Sequence, residues 1–372
     1  MLFLILLLAV IVIPLLPSRQ TTKGRNPQRG FDLFSLQKEA PRLDCEPLWG
    51  CDVVFARMLR ALEGAQYSVR LEMYIFDDDS LGRCFERALS ACLKRGVGVV
   101  IVCDGYGCRW SRMTLLHRLQ MEGAEVRVSG GLSDRRNHRK MLIVDETVAF
   151  VGGANIARRY VRGWYDMALV VRGEVVAELV ELFEADRYNL PYRYNPTTAC
   201  VNVFTERELP ALYEHLLQGA KRRIIVVTPY FVPPTTLLEE LLAAQSRGVE
   251  VAVMLPVQGD SRWVQRASES YVERLLVAGV AVWLYRAGFN HAKFIVADDV
   301  TVVGSANFDY RSLSRNLEVM MTVTSPELSA EFAEEFLRMC QKSHRLTREE
   351  WTHRPFWRKL SEKMSSPLHH LL

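Results

Sequence analysis

Apolar positions along this chain follow two rhythms. Residues 85–93 and 237–244 place them at the spacing of one helix face, whereas 97–103 and 249–255 are short valine-rich runs of the kind that form buried strands. Their alternation predicts an α/β fold in which a sheet is flanked by helices. The N-terminus breaks the rule. Residues 2–16 are uncharged and almost wholly aliphatic, interrupted only by Pro14. As a helix they would extend roughly 22 Å, short of the roughly 30 Å hydrocarbon core of a bilayer. Neither a basic start nor a small-residue cleavage site marks them as a removable leader, so residues 1–18 are expected to be a retained membrane anchor. Arg19, Lys23, Arg25 and Arg29 follow with no acid before Asp32. The positive-inside rule then puts the rest of the chain on the cytoplasmic side of the inner membrane. Residues 19–44 read as a linker.

The remainder of the chain is written twice. GAQYSVRLEMYIF (64–76) parallels GAKRRIIVVTPYF (219–231), and KRGVGVVIV (94–102) parallels SRGVEVAVML (246–255). LHRLQMEGAEVRV (116–128) parallels VERLLVAGVAVWL (272–284), and NHRKMLIVDETVAFVGGAN (137–155) parallels NHAKFIVADDVTVVGSAN (290–307). The offsets are 155, 152, 156 and 153 residues. So steady a spacing implies two similar units related by a pseudo-twofold, one over 45–190 and one over 201–345. The proline- and polar-rich stretch LPYRYNPTTA (190–199) marks a connector at 191–200, and 346–372 forms a C-terminal segment.

Composition narrows the picture only slightly. Hydrophobic residues make up 49% and charged residues 24%, enough for a sizeable core. A formal charge of +4 permits an anionic partner without demanding one, and a nucleic-acid enzyme is expected to carry a stronger basic face. The eight cysteines show no repeated metal-ligand spacing, and Cys84, Cys92 and Cys103 lie in apolar runs. They read as reduced, structural thiols. A Cys45–Cys51 disulfide is the alternative, and it requires an oxidising compartment.

Chemistry concentrates in the fourth repeated block. His138, Lys140 and Asp145 precede Gly152, Gly153 and Asn155 in the first copy; His291, Lys293 and Asp298 precede Gly304, Ser305 and Asn307 in the second. His and Lys two apart on a strand point to one side. A neutral imidazole can attack phosphorus, and the neighbouring ammonium neutralises its non-bridging oxygens. The glycines let a following turn approach closely, and the asparagine amides can donate to the same oxygens, as can the turn at Gly153 and Ser305. Two histidines allow a division of labour between a nucleophile and an acid/base that protonates the leaving alcohol and activates the incoming one. Each ring needs an orienting acceptor on its second nitrogen. Asp166 follows His138 by 28 residues and Glu318 follows His291 by 27, and these matched positions make them the candidates. Asp145 and Asp298, although part of the motif, sit at a strand end and are expected to pin it by hydrogen bonds. No metal or other cofactor is expected.

At these residues the sequence resembles the phospholipase D superfamily, whose signature is H-x-K-x4-D with a downstream G-(G/S)-x-N. More narrowly it is similar to the bacterial cardiolipin synthases, through LEMYIFDDDSLG (71–82), GGANIARRY (152–160), TPYFVPP (228–234), NFDYRSLSRNLEV (307–319) and SPLHHLL (366–372). The resemblance covers 47–372. It implies two phospholipase D-like units, each a mixed sheet flanked by helices, forming one bilobal domain. It also implies a phosphohistidine mechanism without metal. In that mechanism His138 attacks, His291 is the acid/base, and Lys140, Lys293, Asn155 and Asn307 hold phosphate. The implied substrates are membrane phospholipids, phosphatidylglycerol foremost, and no nucleic acid. One departure touches Ser305 and Asn307. Five residues separate Asp298 from Gly304 but six separate Asp145 from Gly152, and a shorter hairpin is expected to displace Ser305 and Asn307.

Weaker signals remain. WTHRPFWRKLSEK (351–363) mixes aromatic and basic residues, as suits a helix lying on an anionic membrane, or packs as an ordinary terminal helix. KRRII (221–225) is read either as a contact for lipid headgroups or, in preference, as a solvated strand entry, and GYGC (105–108) as a turn with no claim on a nucleotide. Three functions compete: a phosphatidyltransferase making cardiolipin, a hydrolase of lipid or nucleic-acid phosphodiesters, and an inactive membrane-bound scaffold. Two complete motifs speak against the scaffold, and the apolar N-terminus favours lipid over nucleic acid. Fold alone does not separate transferase from hydrolase, since the chemistry is shared.

Overall fold

The computed structural model describes residues 44–109, 113–129, 135–192 and 200–355. The expected anchor (1–18), the linker up to residue 43, most of the connector and the end of the C-terminal segment lie outside the described residues. No helix among the described residues is long and apolar enough to cross a membrane.

Valine- and isoleucine-rich runs form the strands as expected. The first half contains β1 (Cys45–Trp49), β2 (Ser68–Met73), β3 (Gly98–Asp104), β4 (Glu125–Ser129), β5 (Met141–Val144), β6 (Val148–Gly152), the short β7 (Trp164–Tyr165) and β8 (Met167–Arg172). The second contains β9 (Val201–Thr205), β10 (Arg223–Val227), β11 (Phe231–Val232), β12 (Glu250–Pro256), β13 (Ala281–Tyr285), β14 (Phe289–Asn290), β15 (Phe294–Ala297), β16 (Val300–Gly304), β17 (Phe308–Asp309), β18 (Val319–Thr324) and β19 (Ser343–Arg345). Two sheets result. One runs β1-β8-β6-β5-β2-β3-β4; the other, read the same way, runs β9-β18-β16-β15-β10-β12-β13 with β19 added at its edge. The internal repeat in the sequence is thus a repeat of topology.

In each sheet β2–β3–β4 and β10–β12–β13 are parallel, whereas the motif hairpins β5–β6 and β15–β16 are antiparallel. The central strands β3, β10 and β12 are buried on both faces over most of their length, which explains their nearly continuous apolar character. The sheets share a core. Ile143, Leu169 and Val203 pack with Ile225, Phe294 and Val303, joined by the helices Val175–Arg187 and Pro326–Cys340 through Leu179, Phe183 and Phe332. Trp49 from the first half meets the ring of Phe332 edge-on at 4.7 Å. A second cluster fills the outer face of the first sheet under the helices Cys51–Gly64 and Ser80–Lys94. All eight cysteines are free thiols, so Cys45 and Cys51 are not paired.

The motif aspartates act as struts. Asp145 accepts the N–H groups of Gln66, Tyr67 and Ser68 at 2.7–2.9 Å, and Asp298 accepts those of Lys221, Arg222 and Arg223 at 2.8–3.0 Å. Each ties the tip of its hairpin to the start of the neighbouring strand, the pinning role expected from their position. Both residues adopt positive φ, 53° and 52°, in the turn. The first turn has three residues between Val144 and Val148 and the second has two between Ala297 and Val300. The extra residue is taken up there, with Glu146 also at positive φ. At the far end the registers coincide: Gly152 N–H donates to Lys140 O and Gly304 N–H to Lys293 O. The expected displacement of Ser305 and Asn307 therefore does not occur.

Loss of three N–H acceptors gives a testable cost. Asp145→Ala is expected to destabilise the fold by about 1–3 kcal/mol, read as a lower urea midpoint at unchanged m. Burial raises the Asp145 pKa, but the three donors outweigh it and hold the carboxyl below its usual value. Its contribution is therefore complete above the unfolded carboxyl pKa near 4 and fades as pH falls through the lower folded value. A midpoint unaltered at pH 7 would remove the strut assignment.

Candidate active site

Each motif histidine sits where a strand of one half meets a segment of the other. Asn290 in β14 pairs in parallel with Tyr165 in β7, and the His291 N–H donates to Tyr165 O at 2.7 Å. In the matching place Asn137 bridges to Leu317, and the His138 N–H donates to Leu317 O at 2.9 Å. Each acceptor carbonyl is followed by an acid, which therefore lies beside the imidazole of the opposite half. His138 Nδ1 is 2.9 and 3.1 Å from the Glu318 carboxylate oxygens, and His291 Nδ1 is 2.6 Å from Asp166. Both acids singled out from the sequence reach the rings, but crosswise.

With Nδ1 committed, Nε2 is the ring atom left for chemistry. Both rings line one cavity of about 420 Å³ with Asn155, Asn307, Tyr74 and Trp164. It opens beyond the carboxyl ends of the parallel strands, since Tyr74 follows β2, Tyr106 follows β3, Tyr230 follows β10 and Asp260 follows β12; such crevices hold ligands in open α/β sheets. Beneath the rings Lys140 and Lys293 are buried. Lys140 Nζ donates to the His138 carbonyl; Lys293 Nζ donates to the His291 carbonyl at 2.5 Å and lies 2.9 and 3.1 Å from the two His291 ring nitrogens.

Burial dominates the electrostatics. It lowers the pKa of His138 despite Glu318, and lowers that of His291 well below the usual value, where Lys293 and Lys140 add repulsion. Both imidazoles are therefore neutral, as nucleophile and base require. Burial also brings Lys140 down to about 7 and Lys293 to about 8. The two acids diverge. Burial pushes Asp166 up to about 7, with Lys293 pulling back. Burial would raise Glu318 too, but His138, Lys140 and the Ser305 hydroxyl hold it below the ordinary carboxylate value.

The asparagines line the cavity as expected. Asn155 accepts the Ile75 N–H at 3.0 Å and donates to Tyr160 Oη at 2.6 Å, which leaves its second N–H for a ligand. Gly153 and Ser305 are placed differently from the phosphate-binding role anticipated for them. The Ser305 hydroxyl is fully buried and donates to Glu318 at 2.5 Å. A Cβ on Gly153 would come within 2.6 and 2.8 Å of the Asp166 carboxylate. Both residues stand behind the orienting acids: a glycine makes room for one, and a hydroxyl holds the other.

Several cavity residues carried no signal in the motifs. Asp309, whose carboxyl burial raises to about 6, faces the site beside Asn307. Arg136 lies over the Tyr106 ring at 3.8 Å, and Tyr230 Oη donates to Asp260 at 2.5 Å. Asp309 and Tyr230 lie in NFDYRSLSRNLEV (307–319) and TPYFVPP (228–234), which carried the family resemblance, but nothing within those stretches singled them out.

Comparison with known proteins identifies the family. Residues 58–187 and 213–340 each match the family described as "Cardiolipin synthase, PLD-like domain". A cardiolipin synthase of Listeria monocytogenes serotype 4a (strain HCC23) is 30% identical over 352 residues, which span 86% of this chain and 73% of the relative. The major cardiolipin synthase of Bacillus subtilis (strain 168) is also 30% identical, over 353 residues with the same two shares, 86% and 73%. Among solved structures, a phosphatidylserine synthase of Haemophilus influenzae Rd KW20 superposes with a TM-score of 0.70 at 14% identity, covering 88% of this chain and 95% of that one. That likeness shows the fold.

Two measurements test the site. Asp166→Asn and Glu318→Gln should each lower kcat by about 10- to 100-fold, the scale of losses when a carboxylate that orients a histidine is removed; unchanged kcat in both would dismiss the crossed pairs. The lysines lose their protons as pH rises through about 7 to 8, so KM for an anionic phosphodiester should climb across that window. A KM flat from pH 6 to 9 would show that both ammonium groups persist.

Proposed function

Because the chain belongs to the family of cardiolipin synthase, phospholipase D-like domains, we propose that it is a phosphatidyltransferase that converts two phosphatidylglycerols into cardiolipin and glycerol. The observation that carries this reading is the pair of imidazoles in one cavity, each held at Nδ1 by a carboxylate of the other half.

His138 Nε2 attacks the phosphorus of the first lipid. The bond from phosphorus to the glycerol headgroup oxygen breaks, and that oxygen takes a proton from His291. The burial that keeps His291 neutral in the empty site is offset when an anionic phosphodiester enters, so the proton arrives with the substrate. A ring phosphorylated at Nε2 that keeps its Nδ1 proton carries positive charge, and ionised Glu318 lies against it. This favours His138 as the nucleophile. The primary hydroxyl of a second phosphatidylglycerol then gives its proton to His291 as its oxygen bonds to phosphorus and the nitrogen–phosphorus bond breaks. Lys140, Lys293, Asn155 and Asn307 stabilise the non-bridging oxygens throughout.

Water competes for the same intermediate. Tyr160, Trp164 and Phe289 surround His291, with ring centroids 5.2, 5.3 and 5.7 Å away, and this apolar wall disfavours water at the acid/base. We read residues 1–18 as an anchor that holds the enzyme at the inner membrane with its site on the cytoplasmic side, where lipid alcohol is concentrated.

Given pure phosphatidylglycerol vesicles, the enzyme should yield cardiolipin and glycerol by mass spectrometry, with turnover preserved in EDTA. Phosphatidic acid alone would make it a hydrolase. His138→Ala should form no phosphohistidine, and His291→Asn should slow its formation or resolution. Labelled phosphohistidine formed at the wild-type rate without His138 would reverse the assignment.

A further inference from the structure

A cavity of about 420 Å³ lined by polar and aromatic side chains suits a phosphodiester headgroup, with the two acyl chains left outside. If the substrates are diacyl lipids, the chains stay in the bilayer and the cavity mouth must come to the membrane. One side of the cavity is bordered by two segments, and a third adjoins them. The first is the turn Arg158–Val161 with the residues leading to Trp164; the second runs from 257 to 264; the third is 286–289. Trp164 and Asp260 line the catalytic cavity and an adjoining one of about 350 Å³, which Val257, Arg286 and Gly288 also border. The Phe289 N–H donates to Gly163 O at 2.8 Å, and the Val257 N–H to Tyr285 O at 3.0 Å.

The exposed chemistry of these segments is uniform. Arg158, Arg159, Arg162, Arg262 and Arg286 are all exposed. Among them stand three exposed apolar side chains, Trp263 at 66%, Val161 at 41% and Val257 at 41%. The acids nearby are engaged: Asp260 accepts from Tyr230 Oη, Asp77 pairs with Arg159, and Asp79 accepts the Arg158 N–H. Scattered apolar groups between arginines do not make the contiguous patch of a protein interface. They match the bilayer boundary, where arginines meet lipid phosphates and a tryptophan lies at headgroup depth.

We propose that this rim is a docking surface for an anionic phospholipid bilayer, which sets the cavity mouth on the membrane independently of the N-terminal segment. The proposal rests on the phosphatidyltransferase reading for the position of the substrate, and the basic and aromatic rim carries the rest. Docking explains how a headgroup-sized site acts on lipids that never leave the membrane. The mouth need only reach the phosphodiester, while the arginines raise the local density of anionic headgroups around it.

The test uses the full chain reconstituted in phosphatidylglycerol vesicles. Phosphatidylglycerol brominated in its acyl chains should quench part of the tryptophan fluorescence, and Trp263→Phe should abolish that part. The triple variant R158E/R162E/R262E should lose at least about tenfold in turnover on vesicles, since each arginine near the surface adds to the attraction for anionic headgroups, while turnover of monomeric short-chain phosphatidylglycerol stays unchanged. Equal quenching in wild type and Trp263→Phe overturns the proposal. So does equal vesicle turnover in the triple variant, or single-stranded DNA binding that the triple variant loses without any lipid quenching. If the triple variant also fails on monomeric substrate, the Trp263→Phe quenching decides alone. Absence of wild-type turnover on monomeric and vesicle substrate alike would defeat the transferase reading while leaving the quenching result to judge the rim.

Discussion

Neither histidine has an acid acceptor within its own half. His138 depends on Glu318 and His291 on Asp166, and each backbone N–H is bonded to the carbonyl just before the other half's acid. A single unit of this duplicated chain would therefore present an imidazole with its second nitrogen unbonded, free to rotate and choose its tautomer. The shared core between the sheets follows from this dependence. The helices Val175–Arg187 and Pro326–Cys340 pack both halves through one apolar cluster, so the distance across the cavity is set by close-packed side chains.

That rigidity is needed because the site buries charge. Lys140 donates to a carbonyl and Lys293 to a carbonyl beside the His291 ring nitrogens, while the Glu318 and Asp166 carboxylates act on both through space. An ammonium in such surroundings is held at a cost, seen in the descent of both lysines toward neutral pH. A phosphodiester entering the cavity supplies the missing counter-charge. The empty site is thus poised against its own cations and relieved by an anion of the right size, which is electrostatic preorganisation in its ordinary sense.

Much of this was legible in the sequence, and the limits have physical causes. The repeat predicted two similar α/β units because its blocks carry matching apolar patterns, whereas the strand order within each sheet is visible only in the structure. His138, Lys140, His291 and Lys293 were recoverable because two copies of a polar motif stand immediately before apolar strands, rather than on them as expected. Asp166 and Glu318 were found by matched spacing, yet the spacing could not say which ring each serves: strand edges meet across the halves only when the sheets pack. Gly153 and Ser305 were assigned to phosphate because they follow the motif, whereas a Cβ clash with Asp166 and a hydroxyl bond to Glu318 show that they shape the acids. The shorter second hairpin raised a doubt that the structure dispels, since a turn at positive φ absorbs a residue without moving the strand register.

The two copies have also drifted apart in a way that bears on their roles. Between the motif His and Lys the first copy has Arg139 and the second has Ala292. Arg139 is buried and donates to Glu318 O at 3.0 Å; it also pairs with Asp186, and with Glu206 at 3.2 Å. Glu206 in turn accepts the Glu318 N–H at 3.3 Å and the Arg135 guanidinium at 2.6 Å. The backbone carrying Glu318 is thus gripped on both its N–H and its carbonyl by a buried ionic network that the second motif cannot build with alanine. Breaking one member of such a network strands the rest in a low dielectric, so it resists partial rearrangement. The Asp166 side chain is held more simply, by the Met167 N–H at 2.8 Å and the His291 ring itself. A ring that must bear covalent phosphorus and positive charge needs a fixed, ionised acceptor, whereas a ring that passes protons back and forth works better against an acid whose own affinity for the proton lies near neutrality. On the proposed mechanism, the firmly held Glu318 opposite His138, its pKa lowered, and Asp166 opposite His291, its pKa raised by burial, would divide along that line.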